Sequence, residues 1–248
     1  MAPRSNWKGF LKLSLVSAAI ALYPATSASE RVRFNTLNKA TGNRLRRQMV
    51  DAVTGKVVEA DDQVRGFAVG KDNYVVVEDE EIDQIALEST HTIDIEKFVP
   101  KTTIDDRFRD TPYYIAPEDQ VGQEAFAVIR DAMRKKKMVG IARLVIARRE
   151  RVMMLEPFGK GMLGTTLHYA YEVRGEDAIF EDIPDLKLPD QMVGLAEDII
   201  EKMSGKFVAS EFEDRYEQAL VALIRSKQAG TTIKAEKDTW EKELTAWT

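Results

Sequence analysis

Alternation of apolar and polar residues is the dominant pattern from the N-terminus to about Val173. A period of two residues predicts strands with one buried face. Strands are predicted over Trp7 to Tyr23 (one or two strands), from Val32 onward, and over Tyr74 to Val77, Thr90 to Val99, Tyr113 to Ile115, Val139 to Ala147, Arg151 to Leu155 and Thr165 to Val173. Turn residues at Gly42-Asn43 and Thr54-Gly55 bracket Arg44 to Val53, which predicts a small exposed hairpin. The chain is therefore predicted to be built mainly from strands.

Apolar residues recur at helical spacing in fewer segments. One amphipathic helix is predicted around Val121 to Met133, and a short helix is predicted to begin in the acidic run Glu78 to Asp83. Two further apolar stripes, Met192 to Met203 and Phe212 to Ile224, are separated by Gly205 and predict two helices that pack together. The expected fold is therefore a mixed β/α fold.

Composition narrows the chemistry that the chain can carry. The 248 residues include no cysteine and only two histidines, which removes cysteine-ligated zinc and thiol nucleophiles and favours a reducing compartment. No Gly-x-Ser-x-Gly nucleophile elbow occurs. Glu181, Asp182 and Asp185 could bind a hard cation, but a solvated acidic loop explains them better. We therefore expect no metal and no cofactor.

The N-terminus has two interpretations. Basic residues precede the apolar stretch Leu13 to Leu22, and small residues follow at Ala25 to Ala28, an arrangement similar to a secretory signal peptide. Lys12 and Ser14 interrupt the apolar run, and the resulting alternation favours a half-buried strand. No segment reaches the roughly 18 apolar residues that a membrane-spanning helix needs. A secreted module stays as the less favoured alternative, and no membrane partner is expected.

Basic residues are concentrated in two segments of a chain whose formal net charge is −5. Arg31 to Val50 carries six basic residues and no acid, and Arg130 to Arg151 carries nine against two acids. Between Glu172 and Glu217 the balance reverses, with fourteen acids against five bases. Such segregation is typical of a surface that binds a polyanion, because like charges repel one another unless an anion lies between them. The sequence therefore predicts a phosphate backbone as ligand.

A glycine-rich segment raises a competing hypothesis. Gly159 to Gly164 reads G-K-G-M-L-G, which matches the dinucleotide-binding pattern G-x-G-x-x-G. In that fold the pattern leads into a helix, whereas here the β-branched and aromatic stretch Thr165 to Val173 follows. A glycine-rich β turn that presents Lys160 is favoured. The alternative is a nucleotide-binding enzyme that uses the Gly159 to Gly164 loop.

Several separated stretches carry a resemblance to a known family. They are Asn6 to Val16 (NWKGFLKLSLV), Arg31 to Asn35 (RVRFN), Thr41 to Arg44 (TGNR), Leu155 to Pro157 (LEP), Gly159 to Gly161 (GKG), Gly164 to Leu167 (GTTL) and Glu213 to Tyr216 (EDRY). Together they closely resemble bacterial Ku, the DNA end-binding protein of non-homologous end joining. The resemblance implies one Ku core over residues 1–230 and a short polar C-terminal tail over 231–248. In that family the N-terminal stretch is a strand of the mature protein.

The resemblance implies a β-barrel core with peripheral helices and an extended arm, in a homodimer that forms a ring around double-stranded DNA. A ring favours ends, because DNA enters it only by threading, and contacts to phosphate leave binding independent of sequence. Nine basic residues are the expected backbone contacts, namely Arg31, Arg33, Arg44, Arg46, Arg47, Arg143, Arg148, Arg149 and Lys160. The implied protein is not an enzyme, so no catalytic residue is expected.

The resemblance further implies an ATP-dependent DNA ligase as partner, recruited through the acidic C-terminal helices or the tail, and a nucleoid-associated place in the bacterial cytoplasm. The chain departs from the family in three places. Ser17 to Ile20 replaces a cysteine-proline pair. The paired cysteines that some relatives carry near the Arg44 to Val58 hairpin are absent, so zinc is not expected there. The tail holds only three lysines, where many relatives have a lysine- and proline-rich extension.

Overall fold

The computed structural model describes residues 4–85 and 91–230. The chain forms two compact units. Met1–Ser27 and Arg46–Asp182 make up the first, and Ala28–Leu45 and Ile183–Thr248 make up the second. The first unit contains all of the extended strands, and the second contains two of the longer helices.

Nine strands are present in the described residues, and seven of them close into a barrel. The strands are β1 Trp7–Leu13, β2 Val16–Pro24, β3 Arg65–Gly70, β4 Asn73–Val77, β5 Thr92–Val99, β6 Arg109–Pro117, β7 Val139–Ile146, β8 Arg149–Phe158 and β9 Gly161–Leu167. The barrel order is β1-β2-β6-β9-β8-β7-β5, and β3 and β4 form a separate hairpin. Closure removes the unpaired edges that an open sheet would present.

The barrel closes at a seam between β1 and β5. These two strands pair in parallel, whereas every other neighbouring pair in the barrel is antiparallel. Gly9 lies at this seam, where a Cβ atom would stand 2.0 Å from the carbonyl oxygen of His91. The neighbouring Phe10 backbone N–H donates to that same oxygen at 2.8 Å. A residue without a side chain is therefore required for β5 to approach β1.

Five α-helices accompany the strands in the described part of the chain. They are α1 Asp79–Ile85, α2 Gln120–Lys136, α3 Asp177–Phe180, α4 Asp190–Met203 and α5 Arg215–Gln228. The start of α2 is capped by Asp119, whose side chain accepts from the Gly122 backbone N–H at 2.6 Å. The helix ends at Lys137, which is left-handed with φ 55°. This is the amphipathic helix predicted from the apolar spacing of residues 121–133.

One face of α2 packs into the barrel core. Phe126, Ile129 and Met133 are buried in one cluster with inward-facing strand residues such as Leu11 and Ile20. The register places this helix at the end of the barrel where β1 and β5 finish and β7 begins. Burial of an aromatic or branched side chain of this kind contributes about 1.5–3 kcal/mol each. The opposite end of the barrel has no such helix among the described residues.

The N-terminal stretch forms two of the barrel strands. Leu11, Ile20 and Leu22 are fully buried in the core, so the prediction of half-buried strands over Trp7 to Tyr23 is confirmed. Within residues 4–85 and 91–230, no helix is both long and apolar enough to cross a membrane.

Residues 46–85 belong to the first unit but contribute nothing to its core. They contain the hairpin of β3 and β4 and the short helix α1, and none of them is buried. Large apolar side chains point outward, with Phe67 69% and Tyr74 59% exposed. The predicted strand at Tyr74 to Val77 and the predicted short acidic helix are confirmed, whereas β3 was not predicted.

The second unit contains α4 and α5, at the positions that the two apolar stripes predicted. The expectation that the two helices pack together was wrong, because no described residue of this unit is buried. Ile200 is 65% and Met203 80% exposed. The apolar stripes are therefore surfaces rather than core.

Two strand predictions were wrong. The stretch from Val32 forms no strand; its pairing is limited to a single bridge between Leu37 and Arg44. The predicted strand Thr165 to Val173 is β9, which begins earlier, at Gly161, and ends at Leu167, before a single helical turn at Ala170–Glu172. The helical prediction at Ala86 and Leu87, the start of the predicted strand at Thr90, and the whole tail 231–248 lie outside the described residues.

Candidate nucleic-acid interface

Two tight loops of the same design lie on either side, along the chain, of Arg44, Arg46 and Arg47 in the first basic segment. In the second unit, the Asn38 side chain accepts from the backbone N–H groups of Ala40 at 2.9 Å and Thr41 at 3.4 Å. Gly42 then takes a left-handed conformation with φ 72°, and a bridge between Leu37 and Arg44 closes the loop. The predicted turn at Gly42-Asn43 is confirmed, and the Arg44 side chain that follows it is exposed.

The second loop lies in the first unit and repeats this design. The Asp51 side chain accepts from the backbone N–H groups of Thr54 at 2.7 Å and Val53 at 2.8 Å. These hydrogen bonds, that of Thr54 foremost, lower the pKa of Asp51. Gly55 is left-handed with φ 70°. The predicted turn at Thr54-Gly55 is confirmed. The hairpin predicted over Arg44 to Val53 does not form, because Arg44 and Val50 are bridged outward to Leu37 and Val57, each across one of the two loops.

Arg46 and Arg47 precede this second loop. Both are exposed, and neither forms an ion pair with any other part of residues 4–85 and 91–230. Because their backbone is extended and neither residue is buried, their guanidinium groups can reach a ligand. An unpaired exposed arginine can exchange water for a phosphate oxygen without first breaking an ion pair.

Arg31 and Arg33 lie in an extended stretch of the second unit. The backbone N–H of Val32, between them, donates to the Glu217 carboxylate at 2.6 Å, which ties this stretch to α5. The Arg33 guanidinium donates only to the carbonyl of Ala28, at 3.5 Å. Both arginine side chains are exposed and form no ion pair within the part of the chain that the structure describes.

Arg143 and Arg148 are engaged by carboxylates. Arg143 lies on the outer wall of the barrel, 2.7 Å from Glu96 and 2.8 Å from Glu150. The hydrogen bond that it donates to Glu150, followed by the charge of Glu96, raises the pKa of Arg143. Arg148 contacts Asp83 of α1 at 2.6 Å. These three carboxylates would compete with a phosphate for the two guanidinium groups.

The turn between β7 and β8 is one residue earlier than the sequence predicted. Its two residues, Ala147 and Arg148, have φ values of 49° and 64°, and Ile146 pairs with Arg149 on either side. Two consecutive positive φ values match the right-handed twist of a two-residue hairpin. Arg149 is therefore the first residue of β8 rather than part of the turn.

Lys160 lies on the turn that joins β8 to β9. Gly159 is left-handed with φ 53°, and the Lys160 side chain is exposed. The backbone carbonyls of both residues accept hydrogen bonds from α2, that of Gly159 from Arg134 at 2.7 Å and that of Lys160 from Arg130. Two cations of the second basic segment therefore fix a turn instead of facing a ligand, which a count of charges could not show.

The glycine pattern at residues 159–164 does not form a nucleotide-binding loop. Gly161 and Gly164 belong to β9, which pairs on both sides with β6 and β8, so the glycine segment continues into a strand and not into a helix. A Cβ atom on Gly164 would stand 2.6 Å from the sulfur of Met153 and 2.8 Å from Ile115. These glycines permit close packing of the barrel wall, so the hypothesis of a nucleotide-binding enzyme that uses this loop was wrong.

Metal-ligating residues do not cluster in the described residues. Across residues 4–85 and 91–230, no group of three or more histidine, cysteine, aspartate or glutamate side chains is arranged to hold a metal ion. Both tight loops near the arginines are held by side-chain oxygens and by backbone hydrogen bonds.

Comparison with known proteins identifies the family. The family model described as the Ku70/Ku80 beta-barrel domain matches residues 12–195. The chain belongs to the Ku family. A relative from Bradyrhizobium sp. (strain ORS 278), named non-homologous end joining protein Ku, is 50% identical over 94% of this chain and 80% of its own length. Relatives of the same name from Methylocella silvestris and Archaeoglobus fulgidus are 47% and 31% identical, over 96% and 93% of this chain and 89% and 90% of their own lengths.

Membership of the Ku family confirms the β-barrel core that the resemblance implied. The matched residues run from the end of β1 into α4 and so include the other six barrel strands, the loops near Arg44 and Arg47 and the hairpin of β3 and β4. The sequence analysis did not select Arg151, which β8 places on the same face as Arg149. Arg151 alternates with Glu150 and Val152 along the strand, and this alternation was the sequence signal that could have selected it.

Proposed function

We propose that this chain binds the ends of double-stranded DNA in non-homologous end joining, as a homodimer that encircles the duplex. The observation that carries the proposal is the match, over nearly the whole chain, to relatives that are named for this process. Residues 1–230 act as the Ku core in this proposal, and 231–248 form an appended tail. Contacts are made to sugar and phosphate, so binding does not depend on sequence.

Seven of the nine expected contact residues have side chains without an ion-pair partner in the described residues, and the six of them other than Arg149 are favoured as backbone contacts. They are Arg31, Arg33, Arg44, Arg46, Arg47 and Lys160. Arg143 and Arg148 would first have to leave their carboxylate partners, so each is expected to contribute less to affinity. Arg149 lines a cavity at the end of the barrel, where a single phosphate group is a better ligand than a continuous backbone.

A second copy of the chain is the partner that best explains the exposed hairpin. Phe67 and Tyr74 project from β3 and β4 with more than half of each side chain exposed. Apolar surface of this kind is typical of an interface that is covered in the assembled protein. A homodimer formed through these hairpins would bury the apolar side chains and place two sets of arginines around one duplex.

An ATP-dependent DNA ligase is the proposed protein partner, and the nucleoid-associated bacterial cytoplasm is the proposed location. The acidic segment between residues 172 and 217 and the exposed apolar stripe of α4 offer charge and apolar surface to such a partner. Loss of ligase stimulation in the variant I200E, with DNA binding retained, would support this part of the proposal. Unchanged ligase stimulation would exclude the α4 stripe as the contact.

The decisive experiment compares binding to a linear duplex with binding to a covalently closed circle of identical sequence at physiological salt. A ring that DNA must thread binds the linear form alone. Equal binding to both forms would contradict the ring and leave only a general DNA-binding surface.

The double variant R46E/R47E tests the contact residues. It is expected to weaken linear-duplex binding at all sequences alike and to reduce the slope of log affinity against log salt by up to about two units, because two phosphate contacts are lost. The control is K202E/K206E, which changes net charge equally but within the acidic segment and should leave the slope unchanged. An unchanged slope in R46E/R47E would remove these arginines from the interface.

A further inference from the structure

The barrel end opposite α2 opens into a polar cavity of about 530 Å³. It is lined by the last residues of β7, the first of β8, the start of β6 and the end of β9. Its polar side chains include Arg149, Arg151, Asp110, Thr111 and Thr166. Barrel mouths are common positions for small-ligand sites, because the surrounding strands hold convergent side chains rigidly.

Strand register directs both arginines toward the inside of the barrel. Arg149 pairs across the hairpin with Ile146, and Arg151 with Leu144, which is only 2% exposed. The same face of β8 continues two residues later into the buried core at Met153. Side chains alternate between faces along a strand, so Glu150 points to the outer wall, where it meets Arg143.

Neither arginine of the cavity has a carboxylate partner. Among residues 4–85 and 91–230, Arg149 and Arg151 form no ion pair, whereas Arg143 on the outer wall has two. Arg151 is half-buried and Arg149 is exposed at the rim, and guanidinium groups without a carboxylate partner favour an anion that accepts several hydrogen bonds at once. Two such groups on one face of a strand suit the oxygens of a phosphate group.

The carboxylate of Asp110 decides whether the cavity favours an anion that carries a proton or one that does not. This carboxylate accepts from the hydroxyls of Thr111 and Thr166, each at 3.1 Å, and a carboxylate has room for further donors. A phosphodiester or a sulfate carries no proton at neutral pH, so either would place unrelieved negative charge beside Asp110. A phosphate monoester, whose second pKa is about 6, can keep one proton and donate a hydrogen bond through it to the carboxylate.

We propose that this cavity is a binding site for a phosphate monoester in its singly protonated form. Arg149 and Arg151 bind the unprotonated oxygens, and Asp110 accepts a hydrogen bond from the P–OH group. The site goes beyond backbone binding, since every internal phosphate of DNA is a diester. The phosphoryl group comes either from a free phosphate compound or from the 5′-terminal phosphate of a DNA end.

The first test uses inorganic phosphate and no DNA. Calorimetric titration of the full chain at pH 7 and constant ionic strength is expected to show binding of phosphate and at least tenfold weaker binding of sulfate. R149Q and R151Q should each weaken phosphate binding at least tenfold, and R143Q should change it less than twofold. D110N should lose the preference for phosphate over sulfate, because an amide can donate to an unprotonated oxygen.

Three results would overturn the proposal: no binding of phosphate, equal binding of phosphate and sulfate by the wild-type chain, or a loss in R143Q as large as that in R151Q. Arg149 is exposed at the cavity rim, so R149Q gives a test that does not depend on folding of the more buried R151Q. Because no DNA is present, these outcomes are independent of whether the chain binds DNA ends.

A second titration distinguishes the sources of the phosphoryl group. Linear duplexes with 5′-phosphate and with 5′-hydroxyl ends are compared in the wild-type chain and in R151Q. Tighter binding of the phosphorylated duplex, lost in R151Q, would assign the site to the DNA end. Equal binding of both duplexes, together with binding of inorganic phosphate, would assign it to a free phosphate compound.

Discussion

The barrel and the stretch from Ala28 to Val77 use apolar residues in opposite ways. In the barrel, residues such as Leu11, Ile20 and Phe126 are fully enclosed. Between Ala28 and Val77 no residue is buried, and Phe34, at 71% exposed, is typical of its apolar side chains. The barrel therefore has the means to be stable within one chain, whereas this stretch has local hydrogen bonds but no core of its own.

The largest expected difference between the two regions is in stability. Phe126→Ala should lower the free energy of unfolding by about 3–5 kcal/mol, because a cavity replaces a buried ring. Phe67→Ala should lower it by less than about 1 kcal/mol in the monomer, because its side chain is already solvated. Urea unfolding at low protein concentration measures both. A cost for Phe67→Ala that rises with protein concentration would indicate that a second copy covers this side chain.

Replacing a glycine by alanine should change stability in opposite directions in the barrel and in the second unit. Gly164→Ala is expected to destabilise the barrel by about 1–3 kcal/mol, because its new methyl group would overlap Met153 and Ile115. Gly194→Ala in α4 meets open space and should stabilise its helix by about 0.5–1 kcal/mol. Chemical unfolding measures the first effect and amide hydrogen exchange the second. Destabilisation by both substitutions would show that α4 is packed in solution.

Assembly gives a third contrast. Phe67→Asp should weaken self-association at least tenfold, because it places a charge in the apolar surface proposed to join two copies. Val121→Asp is the control, since this α2 residue is 89% exposed and lies on the barrel. Sedimentation velocity over a range of concentrations measures the effect. If both variants associate like the wild-type chain, the hairpin of β3 and β4 is not the interface.

The smallest effect concerns the loop at Asp51. Its pKa is lowered in the folded chain, so the stabilisation it gives is complete above the ordinary value of 3.8 and is lost as pH falls through the lower folded value. Exchange of the Thr54 amide should therefore quicken only in strong acid, while Asp51→Ala should quicken it near neutral pH. Asn38→Ala in the matching loop should show no such acid step. Titration of Asp51 above pH 3.8 would contradict this assignment.

Much of the barrel could be predicted from the sequence, because half-buried strands impose an alternation that is visible in single segments. The parallel seam of β1 and β5 could not, since it joins strands about eighty residues apart and depends on Gly9 leaving room for His91. The sequence also contained no indication that a strand would fail to form at Val32. Arg31 to Asn35 has strand-like composition, but no neighbouring strand is available to pair with it.

Charge counting found the basic segments but not the roles of their members. Arg130 and Arg134 support a turn, Arg143 pairs with acids on the outer wall, and Arg149 and Arg151 face into the barrel. Position within a strand decides which face a side chain occupies, and an error of one residue at the Arg148 turn reverses that face. Arg46 and Arg47, which form no ion pair within the described residues, are the proposed contacts that composition alone could indicate.

The barrel topology also makes the region between β2 and β5 a natural insertion. In the barrel order β2 and β5 both flank β1, so the chain leaves and re-enters the wall at strands on either side of β1. Nothing in the closure of the wall depends on the length of what lies between. The segment between β2 and β5 could therefore be lengthened, shortened or exchanged, by evolution or by engineering, while the barrel keeps its register. The barrel can in this way carry different binding elements.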